Sequence, residues 1–304
     1  MTTSGAKRTP DFRNEVAEIN GVHLHYAASG SGPLMIFLHG FPEFWYAWKS
    51  QLSEFGQDHL AVAPDMRGYN LSDKPSEVEQ YDLWHLVEDV GGLARHLGYE
   101  KFCLVGHDWG GVVAWAFAIA HPERVEKLVI INAPHPGVFT RLLRDDPEQQ
   151  RASQYLLMFQ GERAEEVLSA ENFAVLDKLL LARGIEQGFF TEEDRKAYLE
   201  AWSKPGALTG ALNFYRASKV GPIFEGARSS APSGFFAFPM AKLVVKVPTL
   251  VIWGEKDLAL VPRNVDSLAH CVPNLTVKRF DDASHWVVHE KPAEVNQSIR
   301  EFLL

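Results

Sequence analysis

The sequence predicts an α/β fold: a mostly parallel sheet with helices on both faces and a helical segment inserted late in the chain. Short unbroken apolar runs such as "LMIFLHG" and "VEKLVIINAP" alternate with helix-length segments, and continuous apolar strands suit a sheet covered on both sides. The alternation stops after Pro134 and resumes at "VPTLVIWGEKD". The apolar run Phe102 to Val105 leads into Gly106-His107-Asp108-Trp109-Gly110. That is a G-x-Nu-x-G frame, in which a reactive side chain occupies a tight turn between a strand and a helix.

Taken in order, "EVAEINGVHLHYA" at 15–27 reads as two short strands around an Asn20-Gly21 hairpin. Gly30-Ser31-Gly32-Pro33 breaks the chain before the strand "LMIFLHG". A helical segment near 44–55, a strand at "HLAVAPD", a helix from about 82 to 97 and a strand at 101–105 follow. The helix after Asp108 runs to about 120, and "VEKLVIINAP" is the next strand. From His135 to about Val247 there are helical segments but no clear core strand. Then come "VPTLVIWGEKD", a helix near 262–271, "NLTVKRFDDASH" and a closing helix from about 292 to 303. The expected organisation is a core built from residues 1–134 and 248–304, interrupted by a helical cap over 135–247. An insertion at the strand C-terminal ends covers the place where α/β sheets put their chemistry.

Composition narrows the function. The 304 residues are 46% hydrophobic and carry a net charge of −9, which gives nucleic acid no electrostatic footprint. No segment approaches the roughly 18 unbroken apolar residues of a membrane span. "MTTSGAKRTPDF" lacks the apolar core of a secretory signal. Cys103 and Cys271 form no disulfide framework, which fits a reducing compartment, so a cytoplasmic monomer or homodimer is expected. No HExxH or Cys/His cluster marks a metal, and Gly30-Ser31-Gly32 lacks the third glycine of a dinucleotide fingerprint. No cofactor is expected.

Asp108 holds the point of the turn, where serine is the usual residue. It could merely cap the following helix, but glycines on both sides exceed what a cap needs. Asp257, a few residues past one apolar strand, and His285, after the last, complete the chain order nucleophile, acid, histidine. Asp257 could instead end a turn, and His285 could be ordinary among 12 histidines. Asp281 and Asp282 lie too near His285 to orient its far nitrogen, and Asn132 carries no charge, so Asp257 is the expected acid. In "FLHGFPEFWYAW", His39-Gly40-Phe41-Pro42 follows the first core strand. The Phe41 and Trp109 N–H groups are the expected oxyanion hole.

A carboxylate nucleophile attacks saturated carbon bearing a leaving group and forms an alkyl ester of the enzyme. Water activated by His285 then attacks the ester carbonyl, and Asp257 fixes the imidazole tautomer. The residue type argues against esterase or lipase chemistry.

These patterns resemble an α/β-hydrolase of the soluble, cap-domain epoxide hydrolase type. The resemblance rests on "HGFPEFWYAW", "DMRGYNLSDKP", "GHDWGG", "HPERVEKLVIINAPHP", "NFYR" and "WGEKD…SHW". It implies hydrolysis of small apolar epoxides to vicinal diols by water, a detoxifying chemistry. Tyr155 in "ASQYLLMFQ" and Tyr215 in "ALNFYRAS" match the two cap tyrosines of that family, which act on the ring oxygen. An opening epoxide releases a basic alkoxide that needs an O–H donor, whereas a halide does not. Fluoroacetate dehalogenases carry arginines where this chain has Trp109 and Val112. Many haloalkane dehalogenases carry asparagine in place of Phe41. Haloalkane dehalogenation remains the alternative, and a non-catalytic ligand-binding member of the fold is a further one. Substrate contacts are expected from His39, Pro42, Met158 and Trp286, with Phe41, Trp109, Leu157 and Phe159 as other wall candidates. "SGFFAFPMAKL" at 233–243 is a candidate rim.

Overall fold

The computed structural model describes residues 12–222, 234–238 and 242–304. Among them eight strands form one sheet: β1 (Arg13–Ile19), β2 (Val22–Ser29), β3 (Leu34–Leu38), β4 (Leu60–Pro64), β5 (Phe102–His107), β6 (Val125–Ile131), β7 (Thr249–Gly254) and β8 (Leu275–Phe280). Their spatial order is β1-β2-β4-β3-β5-β6-β7-β8. β1 and β2 form the antiparallel hairpin, with Asn20 at φ 51° and Gly21 at φ 79°, the paired left-handed geometry of a tight hairpin turn. β2 joins β4 antiparallel, and every pairing from β4 to β8 is parallel.

β3 explains why the strands read as continuous apolar runs. Leu34, Ile36 and Leu38 enter the core on one face, while Met35 and Phe37 enter the core on the other. Helices Lys49–Phe55 and Pro292–Leu303 cover the second face through Leu52, Phe55, Val295 and Ile299. Helices Leu83–His96 and Trp109–Ala120 cover the first. Asp82 caps the former, accepting the Trp84 and His85 N–H groups at 3.0 Å each. The chain leaves β3 toward β4 and then returns to its other side as β5, so the winding reverses at β3. The C-terminal ends of β3 and β5 therefore border the crevice where such sheets bind ligands.

Between Ile131 and Thr249 the described residues contain no strand. They form helices, among them Pro136–Asp145, Tyr155–Gln160, Glu192–Trp202 and Ala207–Ser218. Leu156, Phe159, Leu212 and Phe214 of these helices belong to the same apolar core as the first sheet face. Residues 242–247 run back along the sheet domain, with Leu243 and Val245 buried and the Val245 N–H bonded to the Cys271 carbonyl at 2.8 Å. Of the stretch 233–243, Ser233 and residues 239–241 lie outside the described residues; Phe236 is buried and Phe238 exposed. No helix among the described residues is long and apolar enough to cross a membrane.

One expected element differs. In place of a helix over 262–271 there is one turn of α-helix, Arg263–Asp266, and a 3-10 turn, Leu268–His270. Val265, Leu268 and Cys271 all enter the core. Their spacing of three matches the three residues per turn of a 3-10 helix, so burial favours the tighter winding.

The crossing of helix Trp109–Ala120 over β3 leaves no room beside Gly110, where an added Cβ would lie 2.1 Å from the Leu38 carbonyl oxygen. Gly110→Ala should therefore destabilise the fold by about 1–3 kcal/mol or more, read as a lower urea midpoint at unchanged m-value.

Candidate active site

Asp108 follows β5 with φ 49° and ψ −123°, a left-handed backbone that L-residues rarely adopt. The flanking glycines permit it, since a Cβ on Gly106 would meet the Gly110 carbonyl oxygen at 2.4 Å. The turn lifts the Asp108 carboxylate clear of the sheet toward the loop after β3. There the Phe41 N–H donates to Asp108 Oδ1 at 2.7 Å. Gly40 lets the loop come this close, because a Cβ there would lie 2.5 Å from the same oxygen. Trp109 opens the helix Trp109–Ala120, so its N–H has no acceptor within the helix.

The other two members of the expected triad come from β7 and β8. His285 Nδ1 donates to Asp257 Oδ2 at 2.7 Å, and His285 Nε2 faces Asp108 Oδ2 at 3.7 Å. The Asp257 side chain is fully buried. Its Oδ1 accepts the Ala259 and Leu260 N–H groups at 2.8 and 3.0 Å. Its Oδ2 also accepts from the Asn132 amide at 2.8 Å. Asn132 follows β6 and accepts the Gly254 N–H at 2.8 Å, which ties the β6 and β7 ends together.

Burial alone would raise the Asp257 pKa, but the charge and hydrogen bond of His285, with Asn132 and Ala259, hold it below the usual carboxylate value. Burial likewise disfavours a charged His285. Asp257 outweighs it through charge and hydrogen bond, Asp108 adds to it, and the imidazole is pushed up to about 9. Asp257 and Asp108 thus both favour the charged form of His285.

The helical segment closes over this group with aromatic rings. Tyr215 packs edge-on against Phe41 at 5.4 Å and Trp109 at 5.2 Å between centroids. Phe159 lies 4.9 Å from Phe41 and 5.0 Å from Tyr215, and Tyr155 lies 5.3 Å from Phe159 and 6.5 Å from Tyr215. Both phenols are held well above their ordinary pKa, first by burial and then by the Asp108 charge.

The four expected substrate contacts sit in different surroundings. His39 is fully buried with both ring nitrogens spent: Nδ1 donates to the Gly40 carbonyl at 3.0 Å and Nε2 accepts the Met66 N–H at 3.0 Å. It shapes the loop rather than the wall. Met158 and Leu157 face solvent, 38% and 46% exposed. Helix Tyr155–Gln160 turns residues 155 and 159 inward together, one helical turn apart, and leaves 157 and 158 outside. Pro42 is buried and its carbonyl accepts the Trp202 indole N–H at 2.6 Å. Trp286 is partly exposed and packs at right angles to His285, 4.8 Å between centroids.

The structure adds residues that the motif reading passed over. Glu43 lies fully buried and accepts His107 Nδ1 at 3.2 Å, His289 Nε2 at 2.6 Å and the Tyr198 hydroxyl at 2.9 Å. His107 Nε2 donates to the His285 carbonyl at 2.9 Å. Glu43 is held ionised well below the carboxylate range: burial opposes this, and the two histidines outweigh it. A carboxylate inside the apolar "HGFPEFWYAW" was the signal, since such a group cannot be buried without partners. Gln149 bonds the Ala259 carbonyl at 2.8 Å, the Val261 N–H at 3.1 Å and Asn264 at 2.7 Å, bracing the loop that carries Asp257.

A parallel sheet with a carboxylate on a strand-to-helix elbow, faced by an acid–histidine pair from later strands, defines the α/β-hydrolase architecture. The alpha/beta hydrolase fold family model matches residues 33–292. The chain is 42% identical to the AB hydrolase superfamily protein YfhM of Bacillus subtilis, over 93% of this chain and 95% of that one. It is 41% identical to Epoxide hydrolase 1 of Caenorhabditis elegans, over 94% of this chain and 69% of that one. Among solved structures it is similar to a variant of an epoxide hydrolase from Bacillus megaterium, in complex with a naphthyloxy-propanediol product. The TM-score is 0.87 at 41% identity, covering 95% and 99% of the two chains. The chain belongs to the epoxide hydrolase family of the α/β hydrolases.

The raised His285 pKa links the site to stability. Its pairing contributes fully below the unfolded value of about 6.5 and is lost as pH rises through about 9. On the acid side the depressed Asp257 keeps its contribution above 3.8 and loses it only below that. The stability advantage of the wild type over His285→Gln should therefore be largest near pH 5–6 and shrink toward pH 10, measured by urea unfolding at each pH.

Proposed function

We propose that the chain hydrolyses apolar epoxides to vicinal diols through an alkyl ester at Asp108. The observation that carries the reading is His285 Nε2 at 3.7 Å from Asp108 Oδ2, with Tyr215 packed on Phe41 and Trp109, which flank the nucleophile, and Tyr155 6.5 Å from Tyr215 between centroids. Oδ2 attacks an epoxide carbon, the C–O bond breaks, and a phenol proton goes to the ring oxygen, while the phenolate recovers a proton from the His285 imidazolium by way of water, leaving the imidazole neutral. The elevated phenol pKa keeps both tyrosines protonated, which suits donors to a basic alkoxide. His285 then removes a proton from water as it attacks the ester carbonyl. The oxyanion forms against the Phe41 N–H, which already holds Oδ1 at 2.7 Å, with the Trp109 N–H as second donor. Collapse releases the diol and regenerates the carboxylate; Asp257 orients the imidazole throughout.

Residues 135–247 serve in this reading as a cap that supplies the proton donors and excludes water from the first step. The apolar lining of Phe41, Trp109 and Phe159 supports an aromatic or aliphatic epoxide. The product held by the Bacillus megaterium relative supports aryl glycidyl ethers as a substrate class. Several features bear on the dehalogenase alternative. The Trp109 ring is covered edge-on by Tyr215, 5.2 Å between centroids, and Phe41 has no side-chain amide to offer a halide.

His285→Gln exposed to naphthyl glycidyl ether should accumulate the ester, seen as one substrate mass added to intact protein and mapped to Asp108. An unmodified protein from a preparation whose wild type turns the ether over defeats the mechanism. Tyr155→Phe combined with Tyr215→Phe should slow ether opening by roughly 10²–10⁴-fold. Full activity of that double variant, or halide release from bromoalkanes by the wild type, would favour the dehalogenase.

A further inference from the structure

The helix Glu192–Trp202 turns three polar residues toward the loop that carries the Phe41 N–H. Asp194, Tyr198 and Trp202 stand at i, i+4 and i+8, so they form one stripe. All three are buried. The Trp202 indole N–H donates to the Pro42 carbonyl at 2.6 Å, and the Tyr198 hydroxyl to Glu43 at 2.9 Å. Asp194 accepts the Tyr46 hydroxyl at 2.9 Å and pairs with Lys49. The same helix face thus reads residues 42, 43, 46 and 49 in order. Asp194 is also fixed from behind, since its carboxylate accepts the Thr191 N–H and hydroxyl at 2.8 Å each in a capping box.

The loop needs such a brace. Its backbone lies against the nucleophile at Gly40, and one turn bond, Glu43 N–H to the Gly40 carbonyl at 2.9 Å, closes it. The Pro42 carbonyl belongs to the residue after the N–H that holds Asp108 Oδ1. A tilt at Pro42 therefore changes where the Phe41 N–H points. An apolar stripe would bury the helix equally well; hydrogen bonds add direction, which packing alone does not.

Building on the ester mechanism above, we infer that Trp202 and Tyr198 are positioning residues for ester hydrolysis, setting the Phe41 N–H through the Pro42 carbonyl and Glu43. The two half-reactions depend on that N–H unequally. During ester formation it bonds a carboxylate oxygen whose charge is being lost. During hydrolysis negative charge develops on the oxygen it faces, and a displaced donor costs most at that point.

The test uses the full chain with Trp202→Phe and Tyr198→Phe, each of which keeps a ring and removes one donor. Rapid quench with naphthyl glycidyl ether and intact-protein mass gives the ester formation and hydrolysis rates separately. Hydrolysis should slow by roughly ten- to a hundredfold, with formation within about twofold, so ester accumulates in the steady state. Trp202→His, which restores a ring N–H, should recover part of the loss. Unchanged hydrolysis in the folded variants overturns the inference. So does equal slowing of both steps, the mark of a helix that merely supports the pocket. If Trp202→Phe does not fold, Tyr198→Phe decides by the same ratio. Absence of any ester in wild type and in His285→Gln instead removes the underlying mechanism, a separate result.

Discussion

The hydrogen bond from the Phe41 N–H to Asp108 Oδ1, at 2.7 Å, is the contact around which the site is arranged. It joins the loop after β3 to the elbow after β5 across the point where the sheet reverses its winding. Making it requires a left-handed Asp108, glycine at 106 and 110 so that the helix can cross the strands, and glycine at 40 so that the loop backbone can touch the carboxylate. A side chain at 106 or 110 would displace backbone, and one at 40 would displace the Asp108 side chain itself. The strain at Asp108 is held by packing on every side, which is how such geometry persists at functional sites.

The helical segment contributes more than a cover. Gln149 braces the loop bearing Asp257, and Trp202 with Tyr198 braces the loop bearing Phe41. Tyr155, Phe159 and Tyr215 meanwhile line the space between. Two of the core loops that carry chemistry are therefore tied to the segment by polar bonds. Its apolar residues join the first sheet face in one continuous core. Such bonds add little net stability but cost much when one partner is removed. Their value lies in fixing orientation.

The fold was legible because its strands obey a simple rule: buried on both faces, they read as unbroken apolar runs, and β3 shows this residue by residue. Asp108, Asp257 and His285 were legible because each follows a strand in the expected order, β8 before His285 being polar and mostly exposed, and the structure brings their side chains together. The wall was harder. Met158 and Leu157 share the apolarity of Phe159, and only the phase of a six-residue helix sends one inward and two outward. His39 was misleading in another way. Its neighbourhood in the sequence is the site, but its ring is consumed by two backbone groups. The network around Glu43 joins positions 43, 107, 198 and 289, separations that no local pattern reveals.

Charge gives the proposed reaction its order. Asp257 and, further down in weight, Asp108 and Glu43 favour the imidazolium form of His285. An imidazolium is no base, so in this state the histidine cannot consume the nucleophile's water prematurely; it can only stabilise the carboxylate. Esterification of Asp108 removes one of the three charges that raise the imidazole pKa, the one facing Nε2. The same covalent step that creates the ester thus moves His285 toward the neutral form that hydrolysis needs. Asp257 is unaffected by the ester and keeps the Nδ1 proton in place, leaving Nε2 as the nitrogen that gives up its proton. A second charge permanently beside Nε2, in place of one that the reaction itself cancels, would hold the imidazolium through both steps and stall the cycle at the ester.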